Sequence, residues 1–232
     1  MQNLKLQIVV AAAIIFSIQF ISCSPPPVAT KEPIRYVPIG DSYTAGTGAL
    51  FEESWPVVLA NHLKAEGFPI KLLANPARSG WTTQDAIDNE LQVFESLYPN
   101  FATVLIGAND IARGVSLDDF RAHLKILIER MLTVLPKKNR LVLITIPDFF
   151  LTPAGNLLGP GLSVRINLFN RVIREEAFIR GLKIADIHSF SKKIAKDTSL
   201  ISEDGLHPSA KGYALWETVI YKEASKILRE NH

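Results

Sequence analysis

Ser42 closes an apolar run in "YVPIGDSYTAGTGA" (residues 36–49), and small residues and glycine follow it. A hydroxyl at the mouth of a strand-to-helix turn is exposed and able to react. A second reactive pair stands near the other end of the chain. In "SEDGLHPSAKGY" Asp204 and His207 are three positions apart, on a turn bracketed by Gly205 and Pro208 and just ahead of the last expected helix. Such a turn points a carboxylate at the near ring nitrogen of the imidazole and leaves the other nitrogen facing outward as a base. Nucleophilic catalysis by serine needs these parts. A hydroxyl attacks only when a hydrogen-bonded base takes its proton, and a carboxylate fixes the tautomer of that base and stabilises the imidazolium. The oxyanion formed on attack needs donors, and three are available: the Ser42 N–H, the Gly80 N–H and the Asn109 side-chain amide. One such donor is worth about 3 kcal/mol. Glycine at position 80 lets the backbone approach a substrate without a Cβ.

These groups are far apart in sequence, so regular elements must carry them to one place. From Arg35 short apolar runs alternate with longer amphipathic stretches, the pattern of βα units around a mostly parallel sheet. Strands are expected over 35–40, 70–75, 101–107, 140–147 and 182–187. Helices are expected over Ser54–Glu66, Thr83–Leu97, Leu117–Leu135, Ser163–Arg180 and Ser209–Arg229. In the last, Ala210, Tyr213, Ala214, Val219 and Ile220 recur near helical spacing, and Pro208 marks the start. Right-handed crossovers then predict one domain of the α/β class, a three-layer α/β/α arrangement around a central five-stranded sheet. In such sheets ligands bind beyond the carboxyl ends of the strands. The residues there are Asp41-Ser42 after the first strand, Ser79-Gly80-Trp81 after the second, and Gly107-Ala108-Asn109-Asp110 after the third.

With 232 residues, 47% hydrophobic and 21% charged, the chain has material for one core. Its 25 basic and 23 acidic residues give a formal charge of +2 without a dense basic cluster, so no nucleic-acid partner is indicated. The first 22 residues read as a secretory signal, with Lys5 ahead of the charge-free "LQIVVAAAIIFSIQFI". Its length would also suit a membrane span, but the only cysteine, Cys23, ends the run in "FISC", and the Pro-rich "SPPPVATKEP" follows as a tether. One cysteine excludes an intrachain disulfide. The ending resembles a bacterial lipoprotein signal, with Phe20 where that motif has an aliphatic residue, and implies a lipidated Cys23. An ordinary signal with an incidental cysteine is the alternative. The expected organisation is a signal peptide (1–22), a tether (23–33) and a body (34–232) exported to the cell envelope and held on a membrane by its lipid.

Four blocks, "GDSYTAG", "ARSGWTT", "GAND" and "DGLHP", occur in this order over residues 40–208. They resemble those of the SGNH, or GDSL, hydrolases, with Tyr43 where the best-known motif has leucine. The resemblance implies a flavodoxin-like fold and a serine esterase that works through an acyl-enzyme. In it Ser42 is the nucleophile, His207 the base, Asp204 its orienter, and Ser42, Gly80 and Asn109 the oxyanion donors. Short-acyl or aryl esters, thioesters and lysophospholipids are the implied substrates. A polysaccharide or peptidoglycan O-acetylesterase is a second reading, and a non-catalytic binding lipoprotein on the same fold a third.

No H-E-x-x-H, paired cysteines or clustered carboxylates point to a metal, and "GTG" at 46–48 lacks the third glycine of a dinucleotide fingerprint, so no cofactor is expected. Asp41 is expected to hold its turn and Asp110 to brace its loop, while Asp186 is the competitor of Asp204. His62 and His123 fall within helices remote from the rim; His188 follows the fifth strand and is less clear. Trp81 and Tyr43 are candidates to line the substrate site, Trp81 equally to cover the sheet edge. The segment "DFFLTPAGNLLGPGL" (148–162) is expected to be the longest irregular loop and the wall of an acyl pocket.

Overall fold

The strands are short and apolar because both of their faces are covered. Every residue of β3 (Phe101–Leu105) and β4 (Leu141–Ile144) is buried, so these segments read as continuous apolar runs rather than alternating ones. With β1 (Ile34–Gly40), β2 (Ile70–Leu72) and β5 (Lys183–Ala185) they form one fully parallel sheet of order β2-β1-β3-β4-β5. This computed structural model describes residues 32–194 and 196–230. The apolar leader, Cys23 and the tether up to residue 31 lie outside the described residues.

The helices are α1 (Ser42–Ala45), α2 (Trp55–Ala65), α3 (Thr83–Asp85), α4 (Leu91–Leu97), α5 (Ala108–Ala112), α6 (Leu117–Val134), α7 (Pro153–Asn156), α8 (Leu162–Arg180), α9 (Ile187–Ile194) and α10 (Ala210–Arg229). A π-helical turn, Ala86–Glu90, joins α3 to α4. Helix α6 shows why they pack: Phe120, Leu124, Leu127, Ile128 and Met131 form one buried stripe at helical spacing. Helices α2, α9 and α10 pack together on one face of the sheet, and α3, α4, α6 and α8 on the other. Right-handed crossovers require this once the order is known. The chain leaves β1 in one direction to make β2, then returns past β1 to make β3. The loops after β1 and β3 therefore diverge to opposite faces, and the crevice between them is where doubly wound sheets bind ligands. Ser42 and Asn109 flank it.

The turn that carries Ser42 is tightly specified. Asp41 is the N-cap of α1, its Oδ1 accepting from the Tyr43 N–H at 3.1 Å. Gly40 has no room for a side chain, since a Cβ would collide with Thr44 Oγ1 and the Leu105 carbonyl. On the far side of the crevice, β4 ends at Ile144, and the buried Asn170 of α8 takes over as a surrogate strand. Its Oδ1 accepts from the Ile146 N–H at 2.7 Å and its Nδ2 donates to the Ile146 carbonyl at 2.8 Å.

All five strands and all five long helices stand where expected, and the differences lie at their ends. The second strand stops at Leu72 rather than 75, although the Leu73 N–H still donates to the Tyr36 carbonyl at 2.9 Å. Strands three, four and five are likewise shorter than the apolar runs that contain them. The helix over 83–97 has its expected limits but is interrupted by the π turn. The 148–162 segment is not irregular: a 3-10 turn (Phe149–Leu151) and α7 occupy much of it, capped by the Thr152 hydroxyl on the Gly155 N–H at 3.1 Å.

Two expectations follow. Asn170→Ala leaves two buried backbone groups without partners, which should lower the unfolding free energy by about 2–5 kcal/mol in urea titration. The second concerns Asp41, which is fully buried. Burial pushes its carboxyl up from 3.8 to about 7; the Tyr43 and Ala108 amides offset part of the rise, and the nearby Asp110 charge adds to it. The folded chain thus holds this proton more tightly than the unfolded chain does. Its contribution to stability is full below pH 3.8 and is lost as the pH rises to about 7. Asp41→Asn keeps the cap acceptor and never ionises. Its stability relative to the wild-type chain should be more favourable at about pH 8 than at about pH 4, and equal differences at both would mean a charged Asp41 in the fold.

Candidate active site

The turn ahead of α10 is built around one carboxylate. Asp204 Oδ1 accepts from Ser202 Oγ at 2.8 Å, the Leu206 N–H at 2.8 Å and the His207 N–H at 2.9 Å. Its Oδ2 meets His207 Nδ1 at 2.6 Å. The turn is closed by the Ser202 N–H on the His207 carbonyl at 2.8 Å and by an isolated bridge between Ile201 and Pro208. Ser209 then caps α10 by accepting from the Gly212 N–H. From this platform His207 Nε2 reaches Ser42 Oγ at 2.8 Å. The imidazole is held from the side by the Tyr43 ring, 5.3 Å away, and Tyr43 in turn packs on Trp216 at 5.4 Å.

Partial burial pushes the Asp204 carboxyl up, but the His207 amide and ring, the Leu206 amide and the Ser202 hydroxyl together outweigh it. They hold Asp204 well below the usual carboxylate range. An ionised Asp204 on Nδ1 keeps the proton of a neutral imidazole there, which leaves the Nε2 lone pair for the Ser42 hydroxyl. Asp186, the competing acid, is engaged elsewhere. Its Oδ1 takes Arg174 Nη2, Thr145 Oγ1 and the Ser189 N–H, each at 3.1 Å, in the first turn of α9.

The loop after β2 is tied down on three sides. Ser79 Oγ bonds Thr47 Oγ1 at 2.6 Å, the Gly80 carbonyl accepts from Arg113 Nη2 at 2.6 Å, and the Trp81 carbonyl accepts from Asn109 Nδ2 at 2.9 Å. Gly80 has φ +86°, a left-handed conformation that favours glycine. Asn109 Nδ2 carries two hydrogens, so its bond to Trp81 orients the amide and leaves one donor free. Asp110 is buried and accepts from the Thr83 N–H at 2.9 Å and the Thr83 hydroxyl at 2.5 Å, which binds α5 to α3.

Ser42, Tyr43, Gly80, Asn109 and His207 line one cleft of about 150 Å³, together with Ser79, Ala108, Ala112, Phe149, Leu158 and Leu206. Behind Tyr43, Phe149 and Leu206 lies a smaller apolar cavity of about 40 Å³, bounded also by Leu151 and Trp216. Trp81 does not line the cleft. It contributes its carbonyl to Asn109, and its ring stacks under the Arg78 guanidinium at 5.5 Å. His62 pairs with Glu217 at 3.0 Å and stacks on Tyr221, and His123 meets Thr83 Oγ1 at 3.2 Å; neither lines the cleft. His188 is buried 3.9 Å from Asp148, and burial depresses its pKa. Among the described residues no group of three or more His, Cys, Asp or Glu is placed to hold a metal ion. Sequence reasoning missed Phe149 and Leu158 as individual wall residues, and also Leu206 and Arg113. An apolar residue in a loop carries no signal of its own. Ser202 was findable, because a serine two residues before an aspartate in a turn is a common hydroxyl partner.

The fold recurs in solved structures. The psychrotrophic esterase EstA from Pseudoalteromonas sp. superposes with a TM-score of 0.67 at 24% identity, covering 84% of this chain and 98% of its own. A family 3 carbohydrate esterase from Clostridium thermocellum gives 0.69 at 23% identity, covering 86% and 98%. The lipase/acylhydrolase from Enterococcus faecalis gives 0.67 at 23% identity, covering 82% and 94%. No curated protein sequence matches the chain. Residues 39–215, which run from the end of β1 into α10 and include every cleft residue, match the GDSL-like Lipase/Acylhydrolase family. The chain therefore belongs to the GDSL-like lipase/acylhydrolases and is a carboxylic ester hydrolase.

Proposed function

We propose that the chain hydrolyses small carboxylic esters through an acyl-enzyme on Ser42. The observation that carries this reading is the unbroken line Asp204 Oδ2, His207, Ser42 Oγ, with contacts of 2.6 and 2.8 Å, opening on a cleft that holds Gly80 and Asn109. His207 Nε2 takes the Ser42 proton as Oγ attacks the ester carbonyl, and the ionised Asp204 stabilises the imidazolium. The Ser42 and Gly80 N–H groups and the free hydrogen of Asn109 Nδ2 receive the oxyanion. His207 then returns the proton to the leaving alcohol, and a water activated by the same nitrogen releases the acid.

The cleft volume of about 150 Å³ is below the roughly 300–1,000 Å³ of drug-sized ligand sites. Phe149, Leu158 and Leu206 give it an apolar wall. Both features favour a short acyl or aryl ester over a long chain. The polar rim of Ser79 and Asn109, and the carbohydrate esterase among the structural neighbours, support an O-acetylated polysaccharide as the second reading. The apolar leader ending at Cys23, with the proline-rich tether behind it, supports export and a lipid anchor at that cysteine.

Ser42→Ala should reduce kcat on an aryl acetate by about 10⁴- to 10⁶-fold, and Asn109→Ala by about 10²- to 10³-fold. Along an acetate, butyrate and octanoate series kcat/KM should fall as the chain lengthens. A flat or rising series would move the assignment to long-acyl esters, and a fully active Ser42→Ala would remove Ser42 from the chemistry. In cells fed a radiolabelled fatty acid the wild-type protein should take up the label and Cys23→Ser should not, and an unlabelled wild type, or a label that survives Cys23→Ser, would rule out a lipid at that residue.

A further inference from the structure

Glu90 lies inside the apolar stripe of its helix, on the inward side with Ala86, Ile87, Leu91 and Phe94, and is fully buried. A carboxyl in such a place costs stability unless it does something there. It lines neither the cleft at Ser42 nor the apolar cavity behind it. Among the described residues its carboxyl has one hydrogen bond, from the Gly40 N–H to Oε2 at 2.9 Å, across 50 positions of chain. Oε1 has no hydrogen-bond partner among the described residues.

The geometry of β1 explains the bond. In a parallel sheet alternate residues present N–H and C=O to the same neighbour. The Tyr36 carbonyl takes the Leu73 N–H, so Tyr36 faces β2, and positions 38 and 40 face that side too. Pro38 has no N–H to satisfy. Gly40 has one, but β2 has ended at Leu72 and offers it no carbonyl. Glu90 supplies the missing acceptor at the last strand residue before Asp41 and Ser42. It is also the last residue of the π turn, a distortion found often at functional sites.

We propose that Glu90 is a positioning residue of the esterase site, which clamps the Gly40 N–H and thereby fixes the Gly40-Asp41-Ser42 turn so that Ser42 Oγ stays aligned with His207 Nε2. This rests on the assignment of Ser42 as the nucleophile. Burial pushes the Glu90 carboxyl well above its ordinary range, the Gly40 amide offsetting part of the rise and the Asp41 charge adding to it. Its Oε2 accepts the Gly40 N–H as a carbonyl oxygen of a neighbouring strand would. Glutamine reproduces that group, whereas leucine and methionine fill the space without an acceptor.

The test compares the full wild-type chain with Glu90→Gln, Glu90→Leu, Glu90→Met and Ser42→Ala. Three quantities are read: the rate at which an alkyl fluorophosphonate modifies Ser42 with loss of fluoride, kcat and KM on an aryl acetate, and the thermal midpoint. The two acceptor-free variants should lose about 10- to 100-fold in kcat and in modification rate, the scale of a 1 Å misplacement. KM should stay within about threefold, and the midpoint should move little, because removal of the buried carboxyl offsets the cost of the unpaired Gly40 N–H. Glu90→Gln should keep wild-type rates within about threefold. Wild-type rates in a folded Glu90→Leu or Glu90→Met, or an equal loss in Glu90→Gln, overturn the role. If both acceptor-free variants fail to fold, the residue is structural and the role is overturned as well. A wild-type chain that reacts no faster with the fluorophosphonate than Ser42→Ala defeats the nucleophile assignment itself. That result is distinct from a reactive wild type with indifferent Glu90 variants.

Discussion

Ser42 and His207 are 165 positions apart in the chain, and their side chains meet at 2.8 Å. Most of the architecture serves to hold that distance. The reversal of strand order at β1 opens a crevice where Ser42 begins α1, and α10 packs against α2 on the same face, which brings the turn ahead of α10 to that crevice. Local ties complete the placement: Tyr213 Oη donates to the Thr47 carbonyl at 2.7 Å, and Tyr43 fills the space between His207 and Trp216. Each hydrogen bond contributes only about 1 kcal/mol net. The alignment is therefore a property of the packed layers, and the bonds select one arrangement within it.

The electrostatics divide the site into two sides. Above Ser42, toward solvent, Asp204 is held as an anion by three donors and the imidazole. Below it, Asp41, Glu90 and Asp110 are buried, and burial pushes all three carboxyls upward. The asymmetry suits the chemistry. An anion beside His207 stabilises the imidazolium formed during attack. Under the proposed mechanism, a full negative charge near the Ser42 amide would oppose the oxyanion assigned to it, and in a site of low dielectric the opposition would be strong. Carboxyls pushed toward their neutral form keep their hydrogen-bonding geometry and add less of that charge.

What the sequence made legible follows the same division. The strands were visible because burial on both faces leaves continuous apolar runs. The end of β1 at Gly40 was legible as well, but that of β4 was not, because the strand stops where the Asn170 side chain replaces a neighbouring strand as hydrogen-bond partner. The π turn kept the three-and-four spacing of its inward residues, so periodicity alone read 83–97 as one regular helix. Helices α1, α5, α7 and α9 have eight residues or fewer, too few turns to show a repeat. That Ser42, Gly80, Asn109 and His207 share one cleft, with Asp204 on His207, was legible because all five residues stand at the ends of elements on one rim. Trp81 misled because its contribution is a carbonyl, which every residue possesses. Phe149, Leu158 and Leu206 are set by how a loop folds back, and no short-range pattern encodes that.

That loop has a mechanical consequence for selectivity. The apolar wall of the cleft comes from Phe149 and Leu158 on the segment after β4, and from Leu206, which lies between the acid and the base. The two pieces are joined directly, since the Ala154 N–H at the start of α7 donates to the Gly205 carbonyl at 2.9 Å. Gly205 is the residue after Asp204. Under the proposed function, an acyl group too large for the wall would push Phe149 or Leu158 outward, and the Ala154–Gly205 bond would carry that strain to the turn that holds Asp204 against His207. A chain that fits leaves the turn undisturbed. Size selection of that kind would act on the alignment of His207 as well as on binding, so that a poor fit would lower the rate of acyl transfer along with the affinity.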